Sequence, residues 1–308
     1  MKFDFTLETY QELLKTLLNT YKFYTFQEFL TSKKEELFSS TNHQSHITDH
    51  SLRLTPNSII ILRHDVDRLP QNALQTAKIE YELGIKGTYY FRIVPKSYNL
   101  KMMQQISEFG HEIGYHYEDV DLVVKSKELR VKSNEESKTR HSSLVTNHSS
   151  PIPRPPSPIP RPIIDTAYES FCRNLEMLRK NFDIKTICMH GSPRSKYDNR
   201  IIWEKYDYRE LGIIGEPYFD IDFNEFAYFT DTGRRWNGDK VSIRDKVNSK
   251  YNFNFKTTCQ IIENIDKFPD KILFTIHPQR WHDRPWPWLK ELLWQNVKNL
   301  VKRYRREK

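Results

Sequence analysis

The chain has 308 residues, enough for one large domain or two modest ones with a buried core. Its apolar fraction of 37% and aromatic fraction of 13% exclude a chain that is disordered throughout. Lysine and arginine exceed aspartate and glutamate by eight, with much of the excess after residue 297. The three cysteines, Cys172, Cys188 and Cys259, lie far apart without a CxxC pattern, which argues against a disulfide framework or a zinc knuckle.

The basic C-terminal run and the N-terminal residues limit the functions that this charge allows. A basic run can attract nucleic acid or anionic lipid, but cations also favour the C-terminal end of a helix. We favour a solvated helix end, because no nucleic-acid-binding motif accompanies the charge. Residues 1–30 lack the basic start and apolar run of a signal peptide, and no apolar stretch reaches the roughly 20 residues that cross a bilayer. These features predict a cytoplasmic protein without a membrane span.

The first half of the chain predicts helices that alternate with short apolar strands. Residues 1–57 are predicted to form a helical extension, with helices Thr6–Leu18 and Phe26–Leu37, that ends in a polar loop. The apolar run Ile59–Leu62 fits a strand that is buried on both faces. After it we predict a helix closed by Gly84, a strand, a helix and a strand: Pro70–Leu83, Thr88–Ile93, Asn99–Phe109 and Glu112–His116.

Residues 125–163 interrupt this rhythm and divide the predicted domain into parts 58–124 and 164–308. The segment is polar and then repeats Pro-Ile-Pro-Arg-Pro at 151–155 and 158–162. Proline at this density excludes helix and sheet, so we predict a disordered insertion in a loop. Regular structure resumes with a helix, a strand, a helix, a strand and an amphipathic C-terminal helix: Thr166–Lys180, Lys185–Met189, Thr257–Ile265, Lys271–Ile276 and Trp286–Tyr304.

This alternation of strands and helices predicts an α/β protein with a parallel sheet, either a barrel or a doubly wound sheet. In such folds the chemistry lies at the carboxyl ends of the strands. Four of the predicted strands deliver an aspartate or a histidine there: Asp65 and Asp67, His116, His190 and His277. Carboxylate and neutral imidazole groups that converge form a site for zinc or a similar divalent ion.

Several of these residues also have structural interpretations. Asp65 and Asp67 would suit the start of the helix that follows them, because acidic residues favour helix N-termini. His190 precedes Gly-Ser-Pro, which would suit a tight turn. His111 lies before its strand, so we predict a structural role, and His64 alternates with Asp65 and should point away from the site.

Four strings of residues resemble the polysaccharide deacetylase family, the NodB-like carbohydrate esterases, which include allantoinase-like amidohydrolases. The most specific is Gly-His-Glu-Ile-Gly-Tyr-His at 110–116. The others are Leu-Arg-His-Asp-Val-Asp at 62–67, Gly-Thr-Tyr-Tyr-Phe at 87–91 and Ile-Leu-Phe-Thr-Ile-His at 272–277. The resemblance covers Ile59 to Trp281 and is interrupted by the proline-rich insertion.

The resemblance implies a distorted (β/α) barrel of about seven strands that holds a divalent metal, expected to be zinc. By the same resemblance, Asp67 and His116 bind the metal, Asp65 is the catalytic base and His277 is the general acid. The family's arginine-containing motif is not clear in this chain. Arg92, at the end of the second barrel strand, is our candidate for orienting Asp65.

The sequence departs from the family pattern at one metal ligand. The family's second metal histidine lies four residues after the first, and Val120 occupies that position here. We take His190 as the first candidate for the missing ligand, with Glu118 and Asp121 as alternatives.

The reaction expected from this resemblance is metal-assisted removal of an acetyl group from a sugar, N-acetyl in preference to O-acetyl. The expected partner is therefore an acetylated carbohydrate, and no nucleic acid. Rim aromatics such as Tyr117, Trp236 and Trp281 could stack on a sugar ring, although aromatic residues more often pack in a core. Two alternatives stay open: hydrolysis of a cyclic amide, as in allantoinase-like enzymes, and a degenerate barrel that binds carbohydrate without catalysis.

Overall fold

The structure is a computed structural model that describes residues 3–39, 58–128, 161–191, 195, 197–236, 247–251 and 253–306. Seven strands in these residues form one parallel sheet: β1 Lys22–Tyr24, β2 Ile59–Val66, β3 Thr88–Phe91, β4 Glu112–Tyr117, β5 Ile187–Met189, β6 Ala227–Thr230 and β7 Lys271–Ile276. The sheet order is β5-β4-β3-β2-β7-β6, and β1 pairs with the first half of β2. The sheet curls into a distorted (β/α) barrel, which confirms the predicted fold class.

Helices surround the sheet. They are α1 Leu7–Leu18, α2 Phe26–Ser39, α3 Pro70–Glu82, α4 Leu100–Glu108, α5 119–128, α6 Arg161–Arg179, α7 Pro217–Asp220, α8 Thr258–Ile262 and α9 Pro285–Arg306. Side-chain caps define several starts, since Thr6 accepts a hydrogen bond from the Thr9 amide and Asn99 accepts one from the Met102 amide. None of the helices in the described ranges has the length and apolar character to span a bilayer.

Strand β2 lies inside the sheet, and its side chains point alternately to the two faces of the sheet. It pairs with β7 from Ile59 to His64 and with β3 from Arg63 to Val66, so both of its edges are hydrogen-bonded. Side chains alternate along a strand. Arg63 and Asp65 therefore share one face, while His64 points to the other, as predicted.

A buried polar cluster lies on the His64 side of β2. Glu80 Oε1 accepts hydrogen bonds from the hydroxyls of Tyr10 (2.6 Å) and Tyr89 (2.8 Å), and it lies 2.9 Å from His64 Nε2. Burial raises the pKa of Glu80, but the imidazoles of His64 and His111 outweigh it and hold that pKa below its usual value. His64 and His111 are therefore structural, as the sequence predicted.

Four of the strands and helices named above were not predicted: β1, α5, α7 and β6. Strand β1 has only three residues and lies within residues 1–57, for which we predict only helices and a loop. Strand β6 joins the far side of β7. Helix α5 was missed because valines are weak helix formers; here Val120 and Val123 pack in an apolar cluster with Ala167 and Ile202.

The predicted insertion, 125–163, lies mostly outside the described residues. Its ends differ from the prediction, because α5 continues to residue 128 and α6 begins at Arg161 rather than Thr166. Pro162 is tolerated there, since a proline in the first turn of a helix loses no intrahelical hydrogen bond. The domain boundaries at 58 and 164 stay predictions.

Two positions of the 110–116 string require glycine, one because of its backbone conformation and the other because a ring packs against it. Gly110 follows α4 with φ of +87°, a conformation that side chains other than glycine rarely adopt. Gly114 lies in β4 against Tyr90, and a Cβ there would overlap the Tyr90 ring and lie 3.2 Å from the Thr186 carbonyl.

We expect Gly114→Ala to lower the free energy of unfolding by about 2 kcal/mol, because an overpacked core must shift to admit the methyl group. Urea unfolding of the purified variant measures the loss. In the Tyr90→Leu background, Gly114→Ala should cost less than it does in the parent protein, since the ring that the methyl group would meet is gone. A single variant as stable as the parent would contradict this close approach.

Candidate metal centre

The carboxyl ends of four strands of the sheet, β5, β4, β2 and β7, bring the predicted site residues together. Asp65 lies near the end of β2 and Asp67 just after it, His116 lies on β4, and His190 follows β5. His277 follows β7, the other neighbour of β2. Asp65 and His116 are buried, whereas Asp67 and His190 are partly exposed and form the open side of the site.

The centre of the site is one oxygen of Asp67. Its Oδ1 atom lies 3.7 Å from His116 Nε2 and 3.4 Å from His190 Nε2. Oδ1 is buried and has no hydrogen-bond partner in the described part of the chain. Ligands that share a tetrahedral zinc ion with bonds of about 2.0–2.1 Å lie about 3.4 Å apart. The two distances from Asp67 and its unsatisfied oxygen would suit a cation, although Asp67 belongs to neither group of described side chains whose ligand atoms all lie within 4.8 Å of one another.

Each imidazole has an acceptor near Nδ1, the ring nitrogen that does not face Asp67. His116 Nδ1 lies 3.0 Å from the Cys188 carbonyl, which accepts its proton and leaves Nε2 directed at Asp67. His190 Nδ1 lies 3.2 Å from Glu118 Oε2. Metal-binding histidines commonly use an acceptor at the second nitrogen to fix the ring. The His116 ring is therefore oriented as a metal ligand would be, whereas His190 Nδ1 has an ion-pair contact with Glu118 but no hydrogen-bond partner in the described residues.

The neighbouring carboxylates are kept ionised. Burial raises the pKa of Asp67, but the imidazoles of His116, His190 and His277 outweigh it and hold that pKa well below its usual value. Burial also raises the pKa of Glu118, and His190 and Arg92 outweigh it, holding it at about 2. Anionic oxygens facing imidazole nitrogens are a suitable environment for a divalent cation.

The predicted role of Arg92 in orienting Asp65 is wrong. The Arg92 guanidinium instead donates to Glu118 and to the Asp67 carbonyl. Asp65 is paired with Arg63, whose Nε and Nη2 donate to its two oxygens at 2.8 and 2.7 Å. Arg63 is two residues before Asp65 on the same strand face, so the nearest arginine in sequence performs this role.

Burial raises the pKa of Asp65, but Arg63 and then His116 outweigh it and hold it at about 2. Its Oδ2 atom lies 3.8 Å from His116 Nε2. Asp65 is thus an ionised, rigidly held acceptor beside the Asp67 cluster.

His277 has a partner that sequence reasoning missed. Asp231, the residue after β6, lies with Oδ1 2.6 Å from His277 Nδ1, and its Oδ2 accepts from the Trp281 indole at 2.8 Å. Arg280 also donates to Asp231, at 2.6 Å. This fixed carboxylate leaves Nε2 as the nitrogen of His277 that can exchange a proton with a substrate. Recognising β6 would have placed Asp231 at a strand end.

The position at which the resemblance to the deacetylases led us to expect a second metal histidine carries no polar group. Val120 is fully buried in the apolar cluster described above. The three residues considered as replacements do gather, since ligand atoms of Glu118, Asp121 and His190 lie within 4.8 Å of one another. Ligand atoms of Asp65, His116 and Cys188 form a second such group. Either buried group could bind a metal, and Asp67 lies between them.

The aromatic residues considered for sugar stacking are in the core. Tyr117, Trp236 and Trp281 are buried. Tyr117 packs on Phe171 in the cluster beneath β4, so its ring is not presented at the rim.

Comparisons of the chain with protein-family models, with curated proteins and with solved structures found no match.

Proposed function

We propose that the protein is a metal-dependent hydrolase that removes an acetyl group from a sugar, N-acetyl in preference to O-acetyl. The observation that carries the proposal is the buried, unsatisfied Oδ1 of Asp67, which faces the Nε2 atoms of His116 and His190. Asp67, His116 and His190 would hold the ion, and zinc suits two imidazoles and a carboxylate. A divalent ion held there would supply Lewis-acid polarisation of the acetyl carbonyl and of water.

The remaining groups of the site would handle protons. Asp65 accepts the proton of the attacking water, and its low pKa means that it is ionised and ready whenever the protein is folded near neutral pH. Because Asp65 is a weak base, it readily releases the proton that it accepts. His277 gives a proton from Nε2 to the leaving amine, while Asp231 holds the ring in place.

The proposal is tested by metal content and by turnover of acetylated sugars and of cyclic ureides. We expect one divalent ion per chain in the purified protein, release of acetate from an N-acetylated sugar, and loss of both after chelation. If the protein turns over only the ureides, its substrate is a cyclic amide rather than an acetylated sugar. A protein that neither retains nor binds a divalent ion would be a non-catalytic barrel, and the proposal would be wrong.

We expect Asp231→Asn to lower kcat by about tenfold to a hundredfold while the metal content stays unchanged, because Asp231 orients His277 and its hydrogen bonds go to His277, Arg280 and Trp281 rather than to the proposed metal ligands. Asp222→Asn, at an exposed turn, is the matched control and should retain full activity. Loss of the metal in Asp231→Asn would assign Asp231 to the metal instead.

A further inference from the structure

The last helix, α9, docks on the barrel through its polar residues. Glu291 is buried and accepts from Arg68 Nη2 at 2.5 Å. Asn299 donates to the Gly233 carbonyl at 3.0 Å, and Gln295 is also buried. These three positions are spaced by four residues, so they form a single stripe along the helix. The inward face of α9 is therefore mostly polar, and Trp288, a large apolar residue on the same face, is half-buried and donates its indole N–H to the Asp4 carbonyl.

The opposite face of α9 is apolar and open to solvent. A surface helix of a globular protein normally buries its apolar stripe and exposes its polar one. Here the reverse holds, with exposed fractions of Trp286 80%, Leu289 38%, Leu293 59%, Trp294 53%, Val297 53% and Leu300 70%. Steps of three and four residues join most of these positions, so they form a continuous apolar stripe. A contiguous exposed patch of this kind marks an interaction surface.

The charge of α9 indicates what that surface meets. Its 22 residues contain six lysines and arginines and one acid, Glu291, which is already paired with Arg68. A second copy of this helix would bring like charges together, which disfavours self-association through this face. A nucleic acid would satisfy the charge but would leave the apolar stripe exposed. An anionic lipid surface satisfies both, and tryptophans favour the boundary between headgroups and acyl chains.

We propose that α9 docks the protein flat on an anionic lipid surface, with its exposed apolar stripe inserted among the acyl chains and with the net positive charge of the helix attracting the anionic headgroups. The helix is about 33 Å long at 1.5 Å per residue, so it can lie along the surface over its whole length. Such helices bind through buried apolar area together with attraction to anionic lipids.

The test is cosedimentation of the full chain with two kinds of vesicle, phosphatidylcholine alone and phosphatidylcholine with about one third phosphatidylglycerol. We expect binding to the anionic vesicles that weakens as salt is added. Leu293→Glu should reduce this binding by at least about tenfold, because it removes buried apolar area and adds a negative charge. Asn296→Glu is the matched control: it puts the same carboxylate at an exposed polar position of the same helix and should cost less.

The outcomes separate the possible occupants of this surface. Equal loss in the two glutamate variants would show that charge alone drives binding and would overturn insertion of the stripe. A wild-type protein that ignores both vesicles would overturn the proposal, as would a dimer in sedimentation equilibrium that Leu293→Glu dissociates. We expect Leu293→Glu to fold, because this position is exposed. A circular dichroism spectrum equal to that of the parent protein would confirm that it does. Vesicle binding needs no substrate, so its result is independent of the proposed catalytic activity.

Discussion

If the proposed metal centre is right, replacing Asp67 with asparagine should abolish metal binding and lower turnover by more than about a hundredfold, because losing a ligand should cost more than the roughly tenfold to hundredfold that the loss of an outer-shell partner costs. The reason is specific to one atom. Oδ1 of Asp67 is the only ligand atom here that lies within 4 Å of both His116 Nε2 and His190 Nε2 among the contacts of the described residues. An amide at this position carries no charge to compensate a divalent cation, and the two imidazoles alone would not hold it.

Metal content by mass spectrometry and the thermal unfolding midpoint on zinc addition are the measurements for this variant. A ligand that binds the folded state raises the midpoint, so zinc should stabilise the metal-free parent protein but not Asp67→Asn. Asp183→Asn is the control, because that carboxylate is exposed and lies beside Lys185, away from the site. Stoichiometric metal in Asp67→Asn would remove Asp67 from the ligand set and leave the two other groups as candidates, one of Asp65, His116 and Cys188 and one of Glu118, Asp121 and His190.

Glu80→Ala is expected to lower the free energy of unfolding by about 3–5 kcal/mol, the cost of leaving buried charged and polar partners without their acceptor. The hydroxyls of Tyr10 and Tyr89 and the imidazole of His64 all meet this one carboxylate inside the fold. Glu82→Ala, two residues later on the same helix, is the control. Glu82 is exposed and lies 3.8 Å from Lys78, and such pairs contribute at most about 0.5 kcal/mol.

The effect of Glu80 should depend on pH in a defined direction. Its folded pKa is below the usual value of 4.5, so its stabilising contribution is fully present above that pH and is lost as the pH falls through the folded value. Urea unfolding at pH 7 and near pH 4 should therefore show a smaller difference between the parent and Glu80→Ala in acid. A difference that grows in acid would contradict the ionised state of Glu80.

The main strands and the convergence of the site could be predicted from the sequence because they depend on local pattern. Continuous apolar runs such as Ile59–Leu62 are typical of strands buried on both faces, and the residue that follows each run is placed by the topology of a parallel sheet. Asp67, His116 and His190 lie together for this reason. His111 and Glu112, within the most specific string of the sequence, serve the packing of β3 and β4 rather than the site.

The partners of the site residues were harder to predict because they depend on pairings between distant segments. Asp231 was missed with β6, whose four residues carry no distinctive pattern, and Arg92 was chosen for a role that Arg63 performs. Arg63 could have been found, since the alternation that sets His64 apart also places Arg63 on the face of Asp65. The role of Val120 could not be predicted in this way, because the sequence alone does not show that its side chain packs in an apolar cluster.

The two-sided pairing of β2 has a consequence for how this segment can vary in length. Inserting or deleting one residue before Arg63 would rotate every later side chain to the other side of the sheet. His64 would then replace the neighbouring carboxylate Asp65 beside the proposed metal centre, and an acid would enter the tyrosine cluster against Glu80. Sequence changes that conserve function can therefore substitute residues within this strand, but they should leave its number of residues untouched.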